Sequence, residues 1–360
     1  MPTDQPVLSI DLRAVQENYR TVEKMVGRSV SVSAVVKSDA YGLGSTQLSA
    51  ALHEAGCTSF FVADVHEAQC VRRMLDDADI IVLSGISSGE RDVYRSGKFT
   101  AVCHSLAQVA IAAAARIPFA LNLDTGFGRL GLRLGEAQSL AHSAPATPVL
   151  MMSHLACADE PSNPQNVLQL NRFVTLTSIL GLTAPRSLAA SSGLSLEASY
   201  RFDRVRVGSA LYGLHNPALG PNPFLPVVRL SARLLAVIQV PRGEGIGYMG
   251  TFRTDRRTRL GVVGIGYKHG LAWSAHNRFC AELGGYAVPL VGRISMEHCA
   301  IDLTELPASL LRAGARVDFI SSTHHAEEIA HAAGTVAQEI LVRAGASCRR
   351  SYIGTKGSLQ

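Results

Sequence analysis

In "SAVVKSDAYGLG" (33–44), Ala34, Val35 and Val36 read as an apolar strand that delivers Lys37 at its C-terminal tip. An ammonium is costly where burial begins. The amine therefore either reaches back to water along its aliphatic stem or works, deprotonated, as a nucleophile toward a carbonyl. Those few residues leave both readings open. Polar side chains close further apolar runs of the same kind: Asp64, His104, Asp124, His154, and Ser191 with Ser192. Carboxylate, imidazole, hydroxyl and amine brought to one rim are groups that hold a ligand and move its protons. No Ser/His/Asp arrangement can be assembled from the chain alone.

The elements that must carry these groups alternate. Short apolar strands are expected at 31–37, 59–64, 80–85, 100–104, 119–126, 149–156, 187–193 and 204–208, with amphipathic helices between them. Eight strands alternating with helices predict a (β/α)8 barrel rather than an open sheet. The polar residues fall at the C-terminal strand ends, where barrel active sites assemble. The alternation stops at "NPALGPNPFLP" (216–226), which is rich in proline. Beyond it, apolar strands follow one another with turn glycines and no long helices, until short helices at 326–334 and 336–345. The expected organisation is an α/β barrel over residues 8–226 and a mainly-β domain over 227–360.

Bulk properties narrow the function classes. The 360 residues carry a net charge of +5, 47% hydrophobic and 18% charged residues. That is ample material for large cores, and a mildly basic surface suits small anionic substrates. The one basic run, "FRTDRRTR" (252–259), reads as a solvated hairpin tip, so no nucleic-acid partner is expected. Seven cysteines show no CxxC and no paired spacing, as in a reduced, cytoplasmic protein. The longest apolar stretch, "VAIAAAA", is too short to span a bilayer, and the N-terminus lacks a signal pattern, so no membrane association is expected. "GIGYMG" (245–250) matches a dinucleotide fingerprint literally but opens no helix. "HHAEEIAH" (324–331) lacks metal-ligand spacing, so no metal is expected.

The strand-end constellation resembles the alanine racemase family of fold-type III pyridoxal-phosphate enzymes. "AVVKSDAYGLG", "LDTGFGRLG", "SHLACADE", "RVRVGSALYG", "GEGIGYMGTF", "GIGYKHG" and "VGRISMEH" stand in the family's order over nearly the whole chain. The resemblance implies pyridoxal 5′-phosphate as cofactor, with Lys37 as its covalent anchor and a catalytic base. Tyr41, Ser192, Gly208 and Ser209 resemble the phosphate ligands, and amides at a loop-to-helix start suit that task. His154 resembles the imidazole packed on the pyridine ring. Arg206 resembles the arginine facing the pyridine nitrogen; with donors only, it leaves that nitrogen unprotonated. Arg129 resembles the arginine that meets the substrate carboxylate.

Racemisation needs a base on each face of the Cα–H bond, and the second resembles Tyr248. A phenol with an ordinary pKa of about 10 needs cationic surroundings for that role. In the family this tyrosine comes from the other subunit, which implies a homodimer with shared active sites. Tyr267 resembles the residue gating access from the partner, and Met296 lies at the same substrate pocket.

The chain departs from the family pattern where substrate is handled. Met249 follows the second base, Lys268 and His269 replace a neutral–acid pair, Glu297 stands for aspartate, and Ser191 for asparagine. Asn122 occupies the position where many members carry a carbamylated lysine, and a hydrogen bond from Asn122 to Arg129, or a chloride bound beside that arginine, is the expected substitute. Ala346 falls where some members have a phosphate-contacting tyrosine. The expected activity is interconversion of L- and D-alanine. A racemase of serine or of a broad range of amino acids is the alternative, and a non-catalytic pyridoxal-phosphate-binding protein on the same barrel is the second. A basic amino-acid decarboxylase of the same fold type is disfavoured by Tyr248 within its motif.

Overall fold

The computed structural model describes residues 5–143, 146–216 and 219–354. The chain forms two compact units, one built from Val15–Ala40 with Ser45–Leu225, the other from Met1–Ala14, Tyr41–Gly44 and Pro226–Gln360.

The first strand, β1 (Val7–Asp11), precedes a helix over Leu12–Val26. Eight parallel strands then make the first unit: β2 (Ser31–Val35), β3 (Ser59–Val62), β4 (Asp79–Val82), β5 (Phe99–Cys103), β6 (Phe119–Asn122), β7 (Leu150–Met152), β8 (Arg186–Ser187) and β9 (Arg204–Val207). They pair in chain order from β2 to β8, and β9 returns to pair with β2. A parallel bridge between Ala190 and Arg206, with the Arg206 N–H donating to the Ala189 carbonyl at 3.1 Å, closes the ring. Phe61, Ile81, Val102, Ala120, Leu150 and Met152 form one buried cluster, with Val35 and Leu83 packed against it. The barrel is therefore filled with side chains rather than open. Strand β8 is shorter than the apolar run predicted: beyond Ser187 the pairing continues only through the Ala190 bridge, and the chain then turns into a 3-10 helix at Ser192–Ser195.

Helix starts explain one of the polar residues at the strand ends. Asp64 accepts from the Glu67 N–H at 2.9 Å and caps Val65–Arg72, and Ser105 caps Leu106–Ala114 in the same way. Such caps satisfy amides that have no partner inside the helix. Asp64 is thus structural.

The second unit is an eight-stranded sheet of β10 (Val228–Val240), β13 (Thr258–Val263), β14 (Cys280–Leu283), β15 (Tyr286–Val291), β16 (Cys299–Asp302), β17 (Arg316–Ile320), β18 (Arg349–Ile353) and β1. The early part of β10 pairs with β1 and β17, and the later part with β13, across a register shift between Leu234 and Ala236. Residues 8–11, counted with the barrel on sequence, thus belong to the β-rich unit: "VLSID" pairs antiparallel with 228–231 and parallel with 349–353. "GIGYMG" lies on a short hairpin of β11 (Gly245–Ile246) and β12 (Phe252–Arg253), joined by a 3-10 turn, not in a βαβ unit. "HHAEEIAH" is a helix start, where Glu328 accepts from the His325 N–H at 2.9 Å. Among the described residues, no helix is long and apolar enough to cross a membrane.

Candidate active site

Lys37 stands just beyond β2 and opens an unusual turn. Ser38, Asp39, Ala40 and Tyr41 all have φ between 51° and 59°, a left-handed helical turn closed by the Ala40 N–H on the Val36 carbonyl at 2.8 Å. Left-handed helix costs about 1–2 kcal/mol per non-glycine residue, and runs of such strain gather at functional sites. Side chains hold the turn: the Asp39 N–H donates to Glu67 at 3.2 Å, and Asp39 accepts from the Ser45 N–H at 2.7 Å. In the other unit, Gly42 crosses the backbone of the helix Ala337–Ser347 at φ 83°, where an added Cβ would lie 2.7 Å from the Leu341 carbonyl oxygen.

Burial lowers the pKa of the Lys37 amine below the ordinary lysine range. The Arg129 cation adds to this, and Glu67 opposes it. Burial and the Arg129 charge favour the unprotonated, nucleophilic form. On β9, next to β2, Arg206 is buried and donates to the Ser187 carbonyl at 2.9 Å, to the Ser187 hydroxyl at 2.5 Å and to the Ser153 carbonyl. Burial, with Arg204 nearby, pulls its pKa down to about 10, so it stays charged at neutral pH. His154 has its pKa pushed down to about 3, by burial first and then by Arg206, Arg129 and Lys37. It is a neutral imidazole.

After β9 the chain turns into Ser209–Tyr212. The Gly208 and Ala210 N–H groups converge on one acceptor, Ser191 Oγ, at 3.1 and 3.2 Å. Ser192 donates to Asp159 at 2.6 Å. Both amides are taken by the serine hydroxyl, and they mark a place where backbone donors converge on one oxygen. A buried donor-only cation, an amine whose pKa burial lowers and two amides that converge on one oxygen, all on one barrel, fit a phosphorylated aromatic aldehyde. Ala210, Asp159 and the two serines that fix Arg206 were not singled out in the sequence. The apolar–polar pattern marks strand ends and does not say which neighbours hold them.

Arg129 lies on the exposed loop after β6. Its guanidinium carbon stands 4.3 Å from the centroid of Phe127, whose ring is in turn 5.6 Å from that of His154. Asn122 does not bond Arg129 as expected. Its amide donates to the Leu130 carbonyl at 2.7 Å and to His104 Nδ1 at 3.2 Å. His104 Nε2 then donates to the Leu83 carbonyl at 2.6 Å, which sets the tautomer. Burial and Arg129 keep that imidazole below its ordinary pKa against this bond. Asp124 turns the loop by accepting from Gly126, Phe127 and Gly128, and it pairs with Arg133 at 3.1 Å. That is also a structural role.

The remaining predicted residues belong to the β-rich unit. Tyr248 is 66% exposed, in the turn where Met249 takes φ 62° and receives the Arg293 guanidinium at 3.0 Å from its sulfur. Tyr267 donates its N–H to the Ser295 carbonyl at 3.0 Å, and Lys268 to the Met296 carbonyl at 3.2 Å. Gly266 permits this approach, since a Cβ there would lie 2.2 Å from the Ser295 oxygen. The departures Lys268 and Glu297 pair at 3.0 Å, with His269 3.6 Å from the same carboxylate.

An eight-stranded parallel barrel with an amine and two converging amides at its mouth, joined to a mainly-β unit, defines the class of protein. The chain belongs to the alanine racemase family: the model of the alanine racemase N-terminal domain matches residues 10–216, and that of the C-terminal domain residues 227–352. It is 43% identical to the biosynthetic alanine racemase of Mesorhizobium japonicum, over 96% of this chain and 88% of that one. The crystal structure of alanine racemase from Bartonella henselae with covalently bound pyridoxal phosphate superposes with a TM-score of 0.91 at 31% identity, over 98% of this chain and all of that one. The enzyme from Streptomyces lavendulae gives 0.92 at 29% identity, over 99% and 98%.

Proposed function

We propose that the protein is a pyridoxal-phosphate-dependent alanine racemase, working by two bases in a homodimer. The observation that carries the reading is the conjunction, in one barrel, of the part-buried Lys37 amine with its lowered pKa, the buried Arg206 cation and the Gly208 and Ala210 amides converging on one oxygen. When bound, the cofactor supplies an aldehyde for the substrate amine and a ring that draws electrons from Cα. Lys37, Tyr41, His154, Ser192, Arg206, Gly208 and Ser209 would hold it. Arg206 would present an N–H to the ring nitrogen and, unable to release a proton, leave that nitrogen neutral. This restrains the electron sink and favours return of a proton to Cα over other fates.

Arg129 orients the substrate through its carboxylate, with Tyr267 of the partner subunit and Met296 of the partner subunit at the entrance to the substrate pocket. Lys37 removes or returns the proton on one face of Cα, and Tyr248 of the partner subunit does so on the other. Residues 8–226 thus act as the cofactor-binding part and 227–360 as the part that lends the second base. Seven free cysteines suit a cytoplasmic setting. The test is to incubate the loaded protein with each L-amino acid in D2O and follow Cα–H loss and chirality. Alanine should exchange and racemise first. Exchange confined to serine or spread over many side chains would replace alanine as the substrate, and no exchange at all would leave a cofactor-binding protein.

A further inference from the structure

The loop that carries Arg129 is fixed on both sides of it. The Phe127 N–H is tied to Asp124 at 3.0 Å, and the Leu130 carbonyl to Asn122 at 2.7 Å. Arg129 has a long, flexible side chain, and backbone restraint alone does not aim it. The contact that does is the Phe127 ring, 4.3 Å from the guanidinium carbon, with His154 5.6 Å away from the same ring at 52°. We propose that Phe127 is a positioning residue, an aromatic platform that aims Arg129 at the substrate carboxylate and registers it against His154.

A neutral ring differs from an anionic partner in kind. A carboxylate or carbamate orients a guanidinium by forking onto its N–H groups, and so occupies the donors that an incoming carboxylate needs. A π face takes the flat side of the cation and leaves all edge donors outward. Asn122, a neutral amide turned toward Leu130 and His104 instead of Arg129, is consistent with that division of labour. Phe127 is 37% exposed, so replacing it should leave the fold intact.

This inference rests on the reading of Arg129 as the carboxylate ligand, and the experiment separates the two. Propionate, a substrate carboxylate without the amine, is titrated calorimetrically into cofactor-loaded wild type, Phe127→Leu, Phe127→Tyr and Arg129→Lys proteins, alongside steady-state kinetics on alanine. Leucine removes the π face but keeps an apolar side chain. It should weaken propionate ~3–10-fold, as loss of a partly desolvated cation–π contact predicts. KM should rise by the same factor, with kcat within ~2-fold and the cofactor absorbance unchanged. Tyrosine should restore both. Wild-type propionate affinity in Phe127→Leu, with weakened binding in Arg129→Lys, overturns the platform and keeps the carboxylate reading. Unchanged affinity in Arg129→Lys overturns both. A tyrosine variant as weak as leucine makes the effect one of shape and also overturns the platform.

Discussion

Asn122 donates its side-chain amide to the carbonyl of Leu130, 2.7 Å away and one residue past Arg129. The second amide hydrogen goes to His104 Nδ1. One side chain thus ties the end of β6, the rim histidine and the loop that carries Arg129. Asn122→Ala leaves two acceptors without a donor. The expected loss is about 1 kcal/mol of stability, at the low end for a lost hydrogen bond because Leu130 is exposed. KM for alanine should rise more than kcat falls as Arg129 loses its anchored neighbour. Thermal melts and steady-state kinetics check both. An amide cannot form a carbamate, so added bicarbonate should leave wild-type activity unchanged, and a bicarbonate-dependent gain would contradict this.

Lys37→Ala should retain cofactor without a covalent link and lose turnover. Borohydride reduction of the loaded wild type, followed by digestion and mass mapping, should place the pyridoxyl group on Lys37. Label on any other lysine would remove Lys37 from the mechanism.

The imidazoles of the rim make a prediction about acid stability. His154 titrates near 6.5 when unfolded and is pushed down to about 3 in the fold, by burial and then Arg206, Arg129 and Lys37. The unfolded chain therefore binds more protons between those values. The stability His154 contributes is fully present above pH 6.5 and is lost as pH falls toward 3. His104, lowered chiefly by burial, adds in the same direction. Melting temperature should fall through this window, and His154→Gln, which carries no titratable group, should flatten part of the fall. An identical pH profile in the variant would sink the assignment.

Much of this architecture was legible because barrel strands buried on both faces read as short continuous apolar runs, and most of them led into a polar residue at the C-terminal end. Residues 8–11 were counted with the barrel and not read as a strand; their pairing with 228–231 and 349–353 is a long-range fact that local pattern does not carry. Strand β18 was missed for a related reason. "RRSYI" opens with two arginines and alternates poorly, yet it is pinned by Arg350 on the Gly42 carbonyl and Tyr352 on the Leu43 carbonyl. At the site, motif order pointed to Lys37, Arg129 and Arg206, but Phe127 was passed over inside "DTGFGRLG". Its role depends on two ring distances that spacing cannot give.

Activity should need two subunits. Lys37→Ala and Tyr248→Phe proteins, each inactive alone, should recover activity when mixed, with one intact site per mixed dimer. Unchanged activity per chain on dilution to monomer would exclude a shared site.

The two bases should separate by face. If Lys37 takes the proton from D-alanine and Tyr248 from L-alanine, each exchanges its own proton with solvent. Tyr248→Phe leaves Lys37 able to deprotonate D-alanine but supplies no acid on the opposite side. In D2O this variant should exchange the Cα–H of D-alanine while forming little L-alanine. Exchange of L-alanine should fall together with racemisation, by the ~10²–10⁴-fold typical of a lost general base. Tyr248 is 66% exposed and its ring is not part of a core, so phenylalanine removes the hydroxyl without disturbing packing. A collapsed pocket would lower exchange of both enantiomers equally, and a purely structural tyrosine would lose neither. Only loss confined to the L face supports a hydroxyl acting at that face.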